Sequence, residues 1–166
     1  MPRSRTRIAS LVSVLAAAAA LGVAIGSERW GGLVPCALCL LERWPYRLAI
    51  GLGLVALVLP RRAARWLLGL VVLSLLAGAA LGIVHVGVEQ GAWKSPLPEC
   101  AAPRITGRTI AERLAEMPAH PAKPCDAPTF LVPGLPLSMA AMNLIYALVF
   151  AALLATFLWR TRGDRR

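Results

Sequence analysis

The chain of 166 residues is 58% hydrophobic and only 16% charged, with a mean hydropathy of +0.66 and a formal net charge of +10. About a quarter of the residues in soluble domains are charged, so this composition argues against a soluble globular protein. A pI near 11.0 is typical of nucleic-acid-binding proteins, but here the basic residues flank apolar blocks and form no stripe. The composition predicts an all-α membrane protein with one domain, residues 1–166, and no nucleic-acid partner.

Four apolar stretches divide the chain and predict a bundle of four transmembrane helices. The first follows three arginines and has an Ala-rich centre, a pattern that signal peptides share, but its length favours a transmembrane helix. Glycines in the third stretch permit close contacts between helices. The predicted spans are approximately residues 8–26, 42–59, 66–88 and 137–159.

The segment 89–136, between the third and fourth stretches, differs from the rest of the chain. It is rich in proline and acidic residues and contains Cys100 and Cys125. Within it, Thr109 and Glu112 have the spacing of a capping box at the start of a helix. Apolar residues follow at helical spacing, so we expect a short amphipathic helix on the bilayer surface. Its apolar residues are Ile110, Leu114 and Met117.

The basic residues are distributed unevenly around the predicted spans. The N-terminus, the turn at 60–65 and the C-terminus hold ten arginines against one acid, Asp164. The other connections hold eight lysines or arginines against seven acids. The positive-inside rule then places both termini in the cytoplasm and the loops 27–41 and 89–136 outside. All four cysteines fall on the outer, oxidising side, where disulfides persist.

Cys36 and Cys39 lie three residues apart, where a polar turn meets the second apolar stretch. If Cys36 opens a helix, both side chains lie on one face and can form a disulfide. The partial positive charge of the helix N-terminus favours a thiolate there. Arg43 follows Cys39 by four residues, so on a continuous helix its guanidinium shares that face. This pattern predicts a reactive thiol pair beside a cation, whereas Arg47 is interpreted as a headgroup anchor.

Other interpretations of these residues remain open. The four cysteines could form a tetrahedral zinc site, although Cys100 and Cys125 are far apart and form no second CxxC. They could also form two structural disulfides, but a CxxC disulfide closes too small a loop to constrain an unfolded chain much. His85 lies near the outer end of the third span, where it is either functional or hydrogen-bonded within the bundle.

Together these features resemble the DsbB family, disulfide bond formation protein B, the quinone-linked thiol oxidases of the bacterial inner membrane. The last helix departs from the family pattern, because Met-Pro-x-Trp is replaced by Met-Ala-Ala-Met. The vitamin K epoxide reductase-like family is a related alternative, but it carries its CxxC late, in the last helix of the core bundle. The resemblance is carried by Pro35-Cys36-x-x-Cys39, Glu42-Arg43, His85-Val-Gly-Val-Glu89 and Ser95-Pro96 before Cys100.

The resemblance implies a route for electrons through four catalytic cysteines. A periplasmic thioredoxin-like partner, similar to DsbA, would attack a Cys100–Cys125 disulfide and form a mixed disulfide with Cys100. Electrons would then pass to the CxxC pair through an exchange between Cys125 and Cys36. Cys39 would remain as the thiolate at the end of this route.

The resemblance also implies a quinone cofactor, ubiquinone or menaquinone, facing Cys39. Arg43 would hydrogen-bond a quinone oxygen, and His85 is a further candidate for quinone binding. No metal is expected. Two alternatives stay open: the same reaction with a different soluble partner, and a disulfide-stapled membrane scaffold or assembly factor without redox turnover.

Overall fold

The computed structural model describes residues 3–100, 107–116, 123–132 and 134–161. In these ranges the chain forms helices and no strand beyond one isolated β-bridge between Phe130 and Ser138. The all-α prediction is therefore confirmed, while Met117, Asp164 and the arginines after Thr161 lie outside the described residues. The helices are α1 (Arg3–Arg29), α2 (Ala37–Leu41), α3 (Trp44–Val58), α4 (Arg61–Glu89), α5 (Ile110–Ala115) and α6 (Met139–Arg160), with a 3-10 turn at Pro98–Cys100.

Three helices in the described part of the chain are long and apolar enough to cross a membrane: Ser4–Arg29, Arg61–Glu89 and Met139–Arg160. The second predicted span, 42–59, differs, because α3 has 15 residues and a helix of about 20 is needed to cross the hydrocarbon core. The apolar stretch is divided before α3, since Pro45 in its first turn has no N–H to continue a helix from α2. The count of four spans therefore stays a prediction.

The long helices pack as a bundle in which α4 contacts both α3 and α6, and α3 also contacts α1. Small residues allow the helices to approach closely, as expected inside a membrane. Gly82 lies against Leu144 of α6, and Gly53 lies against Val14 of α1. The buried centre of the bundle is formed by side chains that include Ala17, Ala49, Leu68, Val71 and Leu75.

Gly53→Ala is expected to destabilise the bundle. A Cβ at this position would lie 2.7 Å from Val14 Cγ2, so either the Val14 side chain or one of the two helices must shift. Overpacking of this kind costs about 1–3 kcal/mol. Gly51→Ala is the matched control on the same helix, because nothing lies within 4 Å of its Cβ position. Thermal unfolding in detergent should show a lower Tm for Gly53→Ala alone, and equal melting of the two variants would contradict this packing.

The short helix α5 forms as its sequence predicts. Thr109 Oγ1 accepts a hydrogen bond from the Glu112 N–H at 3.2 Å, and the Glu112 carboxylate accepts one from the Thr109 N–H at 3.0 Å. The Glu112 carboxylate also accepts a hydrogen bond from the Arg108 N–H. The hydrogen bonds from the backbone N–H groups of Thr109 and Arg108 lower the pKa of Glu112. Ile110 and Leu114 are 79% and 60% exposed, and α5 has no buried residue. Its position on the bilayer surface stays a prediction.

Candidate functional site

The CxxC pair lies at the N-terminus of α2, where Cys36 is the N-cap residue, as the sequence predicts. Its Sγ accepts a hydrogen bond from the Cys39 backbone N–H at 3.2 Å and lies 2.8 Å from Cys39 Sγ, and both thiols are free. The hydrogen bond from the Cys39 thiol lowers the pKa of Cys36, and backbone N–H groups of α2 add to this effect. The same hydrogen bond and burial raise the pKa of Cys39. In this dithiol form, the thiolate therefore belongs on Cys36.

The second cysteine pair is a disulfide between Cys100 and Cys125. It is buried, with Cys100 5% and Cys125 1% exposed, and it packs in one cluster with Cys36, Leu38 and Val88. A backbone hydrogen bond from the Cys125 N–H to the Cys100 carbonyl also joins the two segments. The fold thus brings both cysteine pairs together at one end of the bundle, and this disulfide is incompatible with the four-cysteine zinc site considered from the sequence.

His85 lies between the thiol pair and a buried carboxylate. Its Nε2 is 3.4 Å from Cys36 Sγ, and its Nδ1 is 2.9 Å from Glu42 Oε1. The other carboxylate oxygen accepts a hydrogen bond from Asn143 Nδ2 at 2.9 Å, and the Asn143 carbonyl accepts one from the Tyr46 hydroxyl at 2.6 Å. Because Glu42 holds one side of the imidazole, the other side is directed at the Cys36 sulfur.

Arg43 reaches the site by a different route from the one that the sequence suggests. Helix α2 ends at Leu41 and α3 begins at Trp44, so Cys39 and Arg43 do not share one continuous helix. The guanidinium Nη2 instead donates to Glu28 Oε2 near the end of α1 at 2.8 Å. The Arg43 side chain is 12% exposed, and its Nε is buried with no hydrogen-bond partner among the described residues.

A mainly apolar cavity of about 300 Å³ lies beside the thiol pair. Its wall combines residues from α1, α2, α3 and α6 with the segment before α6. The apolar lining comes largely from alanine, leucine, valine and methionine side chains. Its polar and chemically functional side chains are those of Ser27, Glu28, Cys39, Glu42, Arg43, Tyr46, Thr129, Asn143 and Tyr146. This volume is at the lower end of the range of about 300–1,000 Å³ that is typical of small-molecule sites in proteins.

The family of disulfide bond formation protein DsbB matches residues 6–157 of this chain. The chain belongs to the DsbB family. Membership in the DsbB family, together with the three long apolar helices, indicates an inner-membrane protein that takes part in disulfide bond formation. An uncharacterized protein of Rickettsia prowazekii (strain Madrid E) is 26% identical over 165 residues, which cover 98% of this chain and 94% of that protein. No solved structure matches the chain.

Within this DsbB-family chain, the structure brings together most of the site residues expected from sequence. Cys36, Cys100 and Cys125 share one buried cluster, and Cys39 lines the cavity with Arg43. His85 lies against Cys36 and does not line the cavity, in contrast to its expected place beside the quinone.

Sequence reasoning missed the roles of Glu42 and Glu28. Glu42 could have been noticed, because it is an acid at the start of an apolar stretch, and ionisable residues within membrane segments are functional candidates. Asn143 was visible as the most polar residue of the last stretch, but its bond to Glu42 joins positions 101 residues apart.

Proposed function

We propose that this protein is a dithiol:quinone oxidoreductase. It accepts two electrons from a reduced, DsbA-like periplasmic oxidase and passes them to ubiquinone or menaquinone in the membrane. One observation carries this proposal: Cys36 lies in the same buried cluster as the Cys100–Cys125 disulfide, while its neighbour Cys39 lines the cavity. The two pairs therefore form a continuous path from the loop to the cavity.

The first exchange takes place at the loop disulfide. A thiolate of the soluble partner attacks Cys100 Sγ, the Cys100–Cys125 bond breaks, and Cys125 leaves as a thiolate. The partner's second thiolate then attacks the mixed disulfide, so that the partner leaves oxidised and Cys100 becomes a thiolate. Since Cys100 is only 5% exposed, this segment must move to admit the partner.

The second exchange starts from a Cys36–Cys39 disulfide and moves the electrons to the cavity. Cys125 attacks Cys36 Sγ and Cys39 leaves as a thiolate; Cys100 then resolves the Cys36–Cys125 bond. While Cys36 is bound to Cys125 it carries no charge and accepts no hydrogen bond from the Cys39 thiol. The main cause that raises the pKa of Cys39 in the dithiol form is then absent. This state allows Cys39 to be the thiolate at the cavity.

The cavity residues fit a quinone. The lining is mainly apolar, as a ring that dissolves in the bilayer requires, and Cys39 lies in the wall. The buried Arg43 Nε without a partner is a donor suited to a carbonyl oxygen. A bound quinone would supply the acceptor for the two electrons and two protons that are released when Cys36 and Cys39 return to their disulfide. Arg43 would hold its oxygen and stabilise developing negative charge in a poorly solvated place.

His85 and Glu42 would serve the thiol chemistry at Cys36. With Glu42 accepting from Nδ1–H, His85 Nε2 carries a lone pair aimed at the sulfur, 3.4 Å away. It can take the proton of the Cys36 thiol and return it during exchange. Because Glu42 also lines the cavity, it lies between the imidazole and the place where protons are consumed.

The redox state of the cysteines tests this function against a static scaffold. Membranes that contain the protein and reduced soluble oxidase are incubated with and without quinone, and free thiols are counted by alkylation. We expect both pairs to be reduced without quinone and both to return to disulfides when quinone is added. Thiol counts that do not change with partner or quinone would support a disulfide-stapled scaffold and contradict the proposal.

The orientation makes a separate prediction. In a variant with the four native cysteines changed to Ala, Lys94→Cys should react with a membrane-impermeant thiol reagent in intact cells. Arg62→Cys, the matched position at the other end of α4, should react only after the membrane is opened. Both residues are exposed, so burial does not limit either reaction. The reverse pattern would invert the topology derived from the arginine distribution.

Cys125→Ala should trap the soluble partner. Without Cys125, the thiol that competes for Cys100 is missing, so a mixed disulfide between Cys100 and the partner should accumulate. The partner is a single-cysteine variant, so that it cannot resolve the complex itself, and it is supplied as a mixed disulfide with a small aromatic thiol, which leaves when the Cys100 thiolate attacks. Non-reducing gel electrophoresis measures the resulting complex. Cys100→Ala is the matched control and should trap little. If more complex accumulates in Cys100→Ala, Cys125 forms the mixed disulfide with the partner, and the proposed roles of the two cysteines are reversed.

A further inference from the structure

The reduced thiol pair and His85 together have the composition of a metal site. Cys36 Sγ, Cys39 Sγ and a ring nitrogen of His85 lie within 4.8 Å of one another. Thiolate sulfur and imidazole nitrogen are preferred zinc ligands, and Cys-x-x-Cys is a common spacing for a zinc-binding pair. We propose that the dithiol form binds one Zn²⁺ through these three side chains. This inference goes beyond the proposed electron transfer and does not depend on it.

The observed distances need one local adjustment. With Zn–S of about 2.3 Å and Zn–N of about 2.0–2.1 Å, a tetrahedral site separates sulfur from nitrogen by about 3.5 Å and the two sulfurs by about 3.8 Å. Cys36 Sγ and His85 Nε2, 3.4 Å apart, already match the first value. The two sulfurs, 2.8 Å apart, must separate by about 1 Å. Cys39 is partly exposed and lines the cavity, so rotation of its side chain has room.

The surroundings of His85 support the same assignment. A histidine that binds zinc commonly donates its other ring N–H to a carboxylate, which fixes the tautomer and the direction of the ligating nitrogen. Glu42 Oε1 is in this position, 2.9 Å from Nδ1. Asn143 Nδ2 donates to the other carboxylate oxygen at 2.9 Å and so holds Glu42 in place. Glu42 is therefore a positioning residue for the metal ligand.

Charge and redox state determine when this site exists. Both sulfurs bind as thiolates, so binding releases any thiol proton that the pair still carries, and the two thiolates balance the charge of Zn²⁺ with a neutral imidazole, as a buried site requires. No electron is transferred. Oxidation to the Cys36–Cys39 disulfide removes two of the three ligands, so zinc should bind the dithiol form alone. By linkage, zinc at about 100 times its dissociation constant should favour the dithiol over the disulfide about 100-fold.

A direct titration tests the site. The full chain carrying Cys100→Ala and Cys125→Ala, purified in detergent, leaves only Cys36 and Cys39 as thiols. Zn²⁺ is added in competition with a chromophoric chelator, before and after oxidation of the pair, and thermal unfolding confirms that each form is folded. We expect one Zn²⁺ per chain in the dithiol form and a loss of about 100-fold or more in affinity after oxidation. No binding by the folded dithiol form would overturn the proposal.

Two further measurements separate this site from simple chelation by a thiol pair. Glu42→Gln should weaken zinc binding by about 10- to 100-fold, as is typical of an outer-shell contact, and His85→Gln should weaken it more, because it removes a ligand. Equal affinity in His85→Gln would overturn the three-ligand site. If that variant does not fold, the proton NMR spectrum of Co²⁺ bound to the dithiol protein should show the strongly shifted N–H signal of a coordinated imidazole. Absence of this signal would equally overturn the three-ligand site.

Discussion

Arg43→Ala is expected to reduce the rate of quinone reduction by about 10²–10³-fold, the cost of removing one donor from a site where negative charge develops. Its buried Nε has no hydrogen-bond partner among the described residues, and its side chain lines the cavity with Cys39. In this poorly solvated place the charge is screened less than in water. Thiol exchange with the soluble partner should be nearly unchanged. Steady-state rates at varied quinone concentration, with partner oxidation followed separately, measure both effects.

Three variants locate the origin of this effect. Arg43→Lys keeps the charge but loses the planar fork, so its rate should lie between those of wild type and Arg43→Ala. Arg47→Ala is the matched control, because Arg47 lies over the Trp44 ring at 5.2 Å and does not line the cavity. Glu28→Gln should have a small effect, since Glu28 is 39% exposed. If the steady-state rate of Arg43→Ala depends on quinone concentration as the wild-type rate does, Arg43 is only a headgroup anchor.

Glu42→Gln is expected to slow the chemistry at Cys36 by about 10²-fold, at the lower end of the contribution of general acid–base catalysis. The side chain keeps its size, but a neutral amide orients the imidazole less firmly than the carboxylate now 2.9 Å from Nδ1. Single-turnover exchange between the Cys100/Cys125 dithiol and the Cys36–Cys39 disulfide measures this step. Attack at Cys100 by the soluble partner should be unaffected, which separates a local role from a general loss of structure.

Stability distinguishes a positioning role for Glu42 from a purely structural one. Glu42→Ala should destabilise the protein, because it leaves the buried His85 Nδ1 without its partner, at about 1–3 kcal/mol, and also removes the acceptor of the half-buried Asn143 Nδ2. Glu42→Gln should retain most of the wild-type Tm while losing rate. Glu89→Gln, one turn beyond His85 on α4, is the matched acid control and should keep the exchange rate. A Glu42→Gln variant with normal exchange would contradict the proposed role.

Local features of this protein could be predicted from its sequence, because they depend on neighbouring residues. The long apolar stretches predicted α1, α4 and α6, and the Thr109–Glu112 spacing predicted the start of α5. The sequence argument for a reactive thiol pair assumes that Cys36 opens a helix, which depends on local geometry alone, and Cys36 is the N-cap residue of α2.

The contacts that build the site could not be predicted in this way, because they join distant parts of the chain. The bond between Glu42 and His85 spans 43 residues, and the Arg43–Glu28 ion pair depends on where α1 ends. The expected alignment of Cys39 with Arg43 assumed one continuous helix. Pro45 and the turn before it instead separate α2 from α3, so Arg43 reaches the cavity from the start of the next helix. Counting residues along one helix does not give the relative positions of side chains that lie on either side of such a break.

The central claim is that electrons pass from a soluble dithiol, through four cysteines, to a quinone. The most direct measurement mixes purified protein, reduced DsbA-like oxidase and quinone without oxygen, and follows quinone absorbance together with partner thiols. We expect one quinone to be reduced for each partner disulfide formed, and no quinone reduction in Cys39→Ala. Partner oxidation without quinone reduction, or quinone reduction that persists in Cys39→Ala, would contradict it.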